Sequence, residues 1–161
     1  MAISNPSFGA AVVATEPVGG GKFNATGALN HSITGNYSVG ASTGQVDTIY
    51  TKGRTVTSSS SPDSVMLSSL TDPAGNAIAI GHVVDLIVEN TDATNTLTVG
   101  GGSSAVSWLP SAGVAVPAGS ALILHVPAGL AVTAGSTDHL QVATSGGSNV
   151  AYNLTILGRS L

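Results

Sequence analysis

The chain has 161 residues, enough for one domain with a hydrophobic core, and only 7% of them are charged, against about 25% in an average soluble domain. With four Lys and Arg residues and a net charge of −4 it offers no basic patch for a nucleic-acid backbone. The absence of cysteine excludes disulfides and thiolate metal sites.

No apolar run has the length of a membrane span, so we expect no membrane partner. The first residues lack the basic region and the long apolar core of a signal peptide, which predicts a protein made in a cytoplasm.

Residues 1–45 differ in composition from the rest. They are rich in Gly, Ser, Thr and Asn, and their few apolar residues follow no sustained period. One interpretation is a flexible tail. We favour an extended N-terminal arm that orders against neighbouring subunits, because a solvated tail would normally carry more charge. Its candidate anchors are Phe8, Phe23 and Tyr37.

From residue 46 to residue 161 short segments alternate between apolar and polar residues, and turn residues separate them. A period of two is typical of half-buried β-strands. The predicted strands are residues 46–57, 65–70, 76–80, 82–90, 95–99, 114–116, 120–126, 130–133, 139–144 and 150–157. No segment indicates a helix. We therefore expect an all-β fold, an antiparallel β-sandwich or small barrel over residues 46–161, with a jelly roll as the preferred topology.

The same periodicity assigns side chains to the two faces of the strands. It directs Leu86 and Val88 into the core together with Val84, and it directs Val83 and Ile87 outward. Ile123 is also predicted to face outward. Scattered surface hydrophobes are common. Because charge is so scarce, we expect instead that part of this outer face contacts another subunit or the N-terminal arm.

The sequence contains no recognisable catalytic or metal-binding motif. The four histidines are His31, His82, His125 and His139, and no pair of them has the spacing of metal ligands. Asp85 and Glu89 share a strand face but lie about 13 Å apart by strand rise, too far for a glycosidase pair. Residues 19–22 end like a phosphate loop but lack its first Gly and its Ser or Thr. We expect no enzyme activity, no cofactor and no metal, although a carboxylate pair from distant segments stays open.

Trp108 is the only tryptophan and follows a triple-glycine segment. It has two interpretations, a plug in the core or an anchor on an interface or sugar-binding surface, because rigid aromatic side chains concentrate binding energy.

Two groups of segments carry a family resemblance. They are LTDPAGN, VDLIVENT and LTVGG within residues 70–101, and AVTAGSTD, LQVATSGG and YNLTILG within residues 131–158. This pattern over residues 65–158 resembles small structural proteins of tailed bacteriophages of the capsid decoration or cement type. The first 45 residues lie outside the resemblance.

The resemblance implies a virion component on the capsid exterior. Its partner would be the major capsid protein, and it would act as a homodimer or homotrimer that bridges neighbouring capsid subunits. The alternative is a receptor- or carbohydrate-binding module of a phage tail or head fibre, with the loops at residues 100–108 and 145–149 as its recognition surface.

Overall fold

The computed structural model describes residues 6–18, 25–57, 61–72, 74–146 and 149–161, with side chains described outside 12–18 and 25–33. These residues form fourteen β-strands and no helix. The strands are β1 Ser7–Val18, β2 Ala25–Asn36, β3 Ser38–Val39, β4 Gln45–Val46, β5 Thr48–Val56, β6 Asp63–Met66, β7 Leu70–Thr71, β8 Ala77–Ile78, β9 Ile80–Asn90, β10 Leu97–Val99, β11 Val114–Val116, β12 Ala121–Ala131, β13 His139–Thr144 and β14 Val150–Ser160.

Eight of these strands build two four-stranded antiparallel sheets that pack face to face. The first sheet has the order β12-β9-β14-β5, and the second has the order β11-β10-β13-β6. The short pairs β3-β4 and β7-β8 lie outside both sheets. The predicted all-β antiparallel sandwich is therefore confirmed.

The eight strands pair in a nested order along the chain. The first pairs with the last (β5 with β14), the second with the seventh (β6 with β13), the third with the sixth (β9 with β12) and the fourth with the fifth (β10 with β11). This nested order is compatible with a jelly roll, which stays a prediction. The first and last parts of the chain within the sandwich also lie together, because the Asp47 carboxylate accepts hydrogen bonds from the Ser160 N–H and Oγ–H, each 2.7 Å long.

The core lies between the two sheets and is built by the side chains that point inward from their strands. In β13, for example, Leu140 and Val142 are fully buried between residues that are only half-buried. Leu86, Val88 and Leu154 face them from the first sheet. Full burial of a side chain of this size contributes about 1.5–3 kcal/mol.

A polar cluster closes one edge of this core. The Arg54 guanidinium donates two hydrogen bonds to the Asp63 carboxylate, 2.6 and 2.7 Å long, and a third to the Tyr50 hydroxyl. The Tyr152 hydroxyl donates to the same carboxylate at 2.8 Å. Burial alone would raise the pKa of Asp63, but the hydrogen bonds from Arg54 and Tyr152 outweigh it and hold that pKa below its usual value.

The outward orientation predicted for Val83 is wrong, because a β-bulge in β9 shifts the alternation. Leu157 pairs with Asp85, but the next residue, Gly158, pairs with Val83, so that Val84 is the extra residue. Val83 is consequently fully buried in the main core, and Val84 lies in a second apolar cluster on the other face of the sheet.

The N-terminal arm has a regular structure of its own. β1 and β2 form an antiparallel hairpin from the pair Ser7 and Asn36 to the pair Val18 and Ala25. This hairpin is a separate two-stranded sheet, about 40 Å long by strand rise. The predicted extended arm is thus a β-hairpin over most of its described residues.

Candidate docking surface

The outer face of the first sheet carries three rows of side chains that follow its register. We call these twelve residues the docking face. From the hairpin outward, the rows are His125-Asp85-Leu157-Ile49, then Ile123-Ile87-Thr155-Thr51, then Ala121-Glu89-Asn153-Gly53.

The first row is covered by the base of the hairpin. The Phe8 ring stacks on the His125 ring, with centroids 4.7 Å apart and planes within 10°. Phe8 also belongs, with Tyr37 and Leu157, to the apolar cluster on this side of the sheet. Since Phe8 lies in the second residue pair of the hairpin and Tyr37 directly follows β2, the two rings attach both strands of the hairpin base to the sandwich.

A buried carboxylate lies at the centre of this contact. Asp85 is 3% exposed, and its Oδ1 atom lies 2.7 Å from Nδ1 of His125 and 3.1 Å from the hydroxyl of Tyr37. An ionised carboxylate only accepts hydrogen bonds, so the Tyr37 hydroxyl and the His125 Nδ1–H both donate to it. Burial, and then the hydrogen bond to Asp85, raise the pKa of Tyr37 above its usual value. The hydroxyl therefore stays protonated and able to donate.

The second row is open, and two of its four residues, Ile123 and Ile87, form an apolar strip, whereas Thr155 and Thr51 share a hydrogen bond. Ile123 is 45% exposed, and Ile87 is half-buried beside it. The third row is polar, with the Asn153 amide donating to the Glu89 carboxylate at 2.9 Å. An apolar strip thus lies between the hairpin base and a polar border, an arrangement typical of the core and rim of a protein interface.

A cavity of about 170 Å³ opens between the hairpin base and this strip. Its walls belong to the hairpin on one side and to the first two rows of the docking face on the other. The lining residues are Ser7, Phe8, Gly9, Ile49, Asp85, Ile87, Thr155 and Leu157.

The structure brings four of the predicted site residues to this surface. Ile87 and Ile123 lie in its open row, whereas Phe8 and Tyr37 are buried against their own sandwich, at 7% and 8% exposure. In this form neither ring is free to anchor in a neighbouring subunit, because each already has an intramolecular partner. Phe23 lies outside the described residues.

Two predicted residues lie elsewhere. Val83 is in the main core, as described above. Trp108 is half-buried against the same core, and its indole Nε1–H donates to the Ala131 carbonyl at 3.2 Å.

Sequence reasoning did not find the pairing of Asp85 with His125. One signal was present: Asp85 interrupts the apolar run of β9, and a charge within such a run needs a partner. The partner is forty residues away in the chain, so identifying it requires the register between β9 and β12.

The described part of the chain shows neither a metal site nor a membrane-spanning helix. No three His, Cys, Asp or Glu residues there are grouped so as to hold a metal ion. Within the same residues no helix is long and apolar enough to cross a membrane.

The fold and this surface define an all-β sandwich with an attached hairpin and an open apolar strip. No protein-family profile matches the chain, and no curated protein or solved structure matches it.

Proposed function

We propose that this protein is a structural virion protein that decorates or cements a bacteriophage capsid by bridging neighbouring major capsid subunits. The observation that carries the proposal is the docking face, where the open apolar strip of Ile123 and Ile87 lies between the hairpin base and a polar border. The virion context comes from the resemblance of residues 65–158 to small phage structural proteins.

Three properties of the molecule suit such a role. The sandwich has one continuous core between its two sheets, which favours a fixed shape. Its surface is poor in charge, so desolvating it against another protein costs little. The hairpin extends the reach of the chain, and its two outer edges pair with no other strand among the described residues, so each can add a strand from a neighbour.

The proposal is tested by binding to particles of the major capsid protein encoded in the same genome. We expect Ile123→Glu to weaken binding at least about tenfold, because it places a charge in the apolar centre of the contact. The matched control is Met66→Glu, since Met66 is equally exposed, at 43%, but lies on the second sheet. The control should bind within about twofold of the unchanged chain.

Removing residues 1–36 tests the contribution of the hairpin. This truncation keeps Tyr37, and with it both hydrogen bonds to Asp85. We expect a folded sandwich that no longer binds particles. Normal binding by a folded truncated chain would refute a role of the hairpin, and normal binding by Ile123→Glu would refute the docking face.

The alternative, a receptor- or carbohydrate-binding module, is favoured by one observation. The loop before Trp108 has a defined and unusual backbone: Gly100, Gly101 and Gly102 have positive φ, and so does Ser104, at 59°. Glycine adopts positive φ without strain, but Ser104 does so at a cost, and non-glycine residues in this conformation cluster at functional sites. Copy number separates the two functions, because a cement protein occurs in hundreds of copies per particle and a fibre module in a few. Quantitative gels of purified particles measure it.

A further inference from the structure

We propose that the cavity beside the hairpin base is a pocket for a lysine side chain of the partner protein. The inference rests on the proposed docking function and names the chemistry by which one contact of the docking face is made.

The size and walls of the cavity suit an unbranched alkyl chain. At about 170 Å³ it is close to cavities of roughly 150 Å³ that hold benzene. Phe8, Ile87 and Leu157 contribute apolar side chains to its walls. The four methylene groups of a lysine stem pack favourably on walls of this kind.

One oxygen atom of a residue that lines the cavity lacks a partner. Asp85 borders the cavity and accepts hydrogen bonds from His125 and Tyr37 through Oδ1 only. Its Oδ2 atom is buried and has no hydrogen-bond partner among the described residues. A buried carboxylate oxygen without a donor is costly, and a donor arriving from outside removes that cost.

An ammonium group is the hydrogen-bond donor that suits the Asp85 carboxylate best. It carries three donors and the charge opposite to that of the carboxylate, on a stem narrow enough for the cavity. The chain itself is poor in such groups, with four Lys and Arg residues and a net charge of −4. Arg54 is already paired with Asp63, Arg159 donates to the Ala128 carbonyl, and Lys52 does not line the cavity. Lys22 lies outside the described residues. The cation is therefore expected from the partner.

The first experiment uses n-butylammonium, which reproduces the lysine side chain beyond its α-carbon. Backbone amide shifts of the full ¹⁵N-labelled chain are followed during titration at neutral pH, with n-butanol and butyrate as probes of similar shape. We expect shifts at Gly9, Ile87 and Thr155, and binding at least about tenfold tighter than for n-butanol, since a hydrogen bond to a charged group is worth that much. Equal binding of amine and alcohol, or no shifts at the cavity, would overturn the proposal.

Two variants test whether the amine binds in the cavity beside Asp85. Asp85→Asn keeps the shape of the side chain and should abolish the preference for the amine. Should that variant unfold, Thr155→Leu adds bulk at a residue that lines the cavity and should weaken amine binding at least about fivefold. The matched control is Thr51→Leu, because Thr51 shares a hydrogen bond with Thr155 but does not line the cavity. An equal effect of both leucine variants would contradict the assignment.

Particle binding distinguishes failure of this inference from failure of the proposed function. If the pocket takes a partner lysine, Thr155→Leu weakens particle binding and free n-butylammonium competes with it, whereas n-butanol and n-butylguanidinium do not. Particle binding that is insensitive to the amine and to Thr155→Leu overturns the lysine pocket and leaves the docking function standing. Stronger competition by n-butylguanidinium would assign the pocket to arginine and also overturn the proposal. Tight amine binding without any particle binding refutes the docking function instead.

Discussion

At the scale of single residues, buried charge organises this protein although charge is scarce overall. Asp85 and Asp63 are largely buried, and each is held by hydrogen bonds from distant parts of the chain. Asp85 joins the hairpin base to the sheet, and Asp63 joins β6 to β5 and β14. Few acidic residues thus fix contacts that the apolar side chains alone would leave adjustable.

Tyr37→Phe tests the hydrogen bond at the hairpin base. Removing the hydroxyl leaves Asp85 with His125 as its one remaining donor, so we expect the free energy of unfolding to fall by about 1–2 kcal/mol. Urea unfolding measures it. The control is Thr51→Val, which deletes an exposed hydroxyl and should change stability by less than about 0.5 kcal/mol. An equal loss of stability in both variants would show that the hydrogen bond to the buried Asp85 contributes no more than one between exposed hydroxyls.

Asp63 makes stability depend on pH in the acid range. Its pKa is lowered in the folded chain, so its contribution is present above the unfolded value of about 3.9 and is lost as the pH falls through the folded value. We expect the melting temperature to drop below about pH 4, and Asp63→Asn to drop less steeply while being less stable at pH 7. Melting curves between pH 7 and pH 2 check this. Parallel curves for the two proteins would contradict it.

At the scale of elements, the bulge in β9 decides which residues reach the docking face. It turns Val84 and Asp85 to the same side of the sheet, whereas strict alternation would separate them. Without the extra residue, either Val83 would be exposed or Asp85 would point into the core. The hairpin contact therefore depends on a local irregularity of one strand.

Gly158, opposite the bulge, permits this close approach. A Cβ atom at this position would lie 2.8 Å from the His82 carbonyl oxygen and 2.9 Å from Cγ2 of Ile80. We expect Gly158→Ala to lower the free energy of unfolding by about 1–3 kcal/mol, as overpacking does. In the control, Gly53→Ala, the new methyl group meets only Asn153 Oδ1, at 3.5 Å, and stability should be unchanged or slightly higher. Thermal unfolding of both variants measures the two changes in stability.

The sequence predicted those strands whose burial follows a strict period. Residues 139–144 were predicted as a strand and form β13, because one of its faces is fully buried. The strands of the hairpin were missed, since their apolar residues show no alternation and their regularity comes from pairing with each other. The bulge and the pair of Asp85 with His125 could not be predicted from the sequence either. Both depend on the register between strands far apart in the chain, which one strand's pattern does not contain.

At the scale of the whole molecule, the low charge and the open apolar strip predict how binding responds to salt. Contacts made by apolar packing and by a buried ion pair are screened little, unlike pairs between exposed charges. We expect the dissociation constant for capsid particles to change by less than about threefold between 50 and 500 mM NaCl. Sedimentation of particles with the bound chain measures it. A decrease in affinity of tenfold or more would indicate an exposed electrostatic contact instead.

The link between Asp47 and Ser160 has a practical consequence for fusion proteins. Because the entry and the exit of the sandwich are tied at one point, a tag or cargo fused after residue 161 begins close to Asp47, two residues before Ile49 of the docking face. A bulky fusion there would crowd the docking face and mimic a loss of binding, even though every contact residue is intact. Affinity measurements should therefore use a chain whose tag has been cleaved from this end.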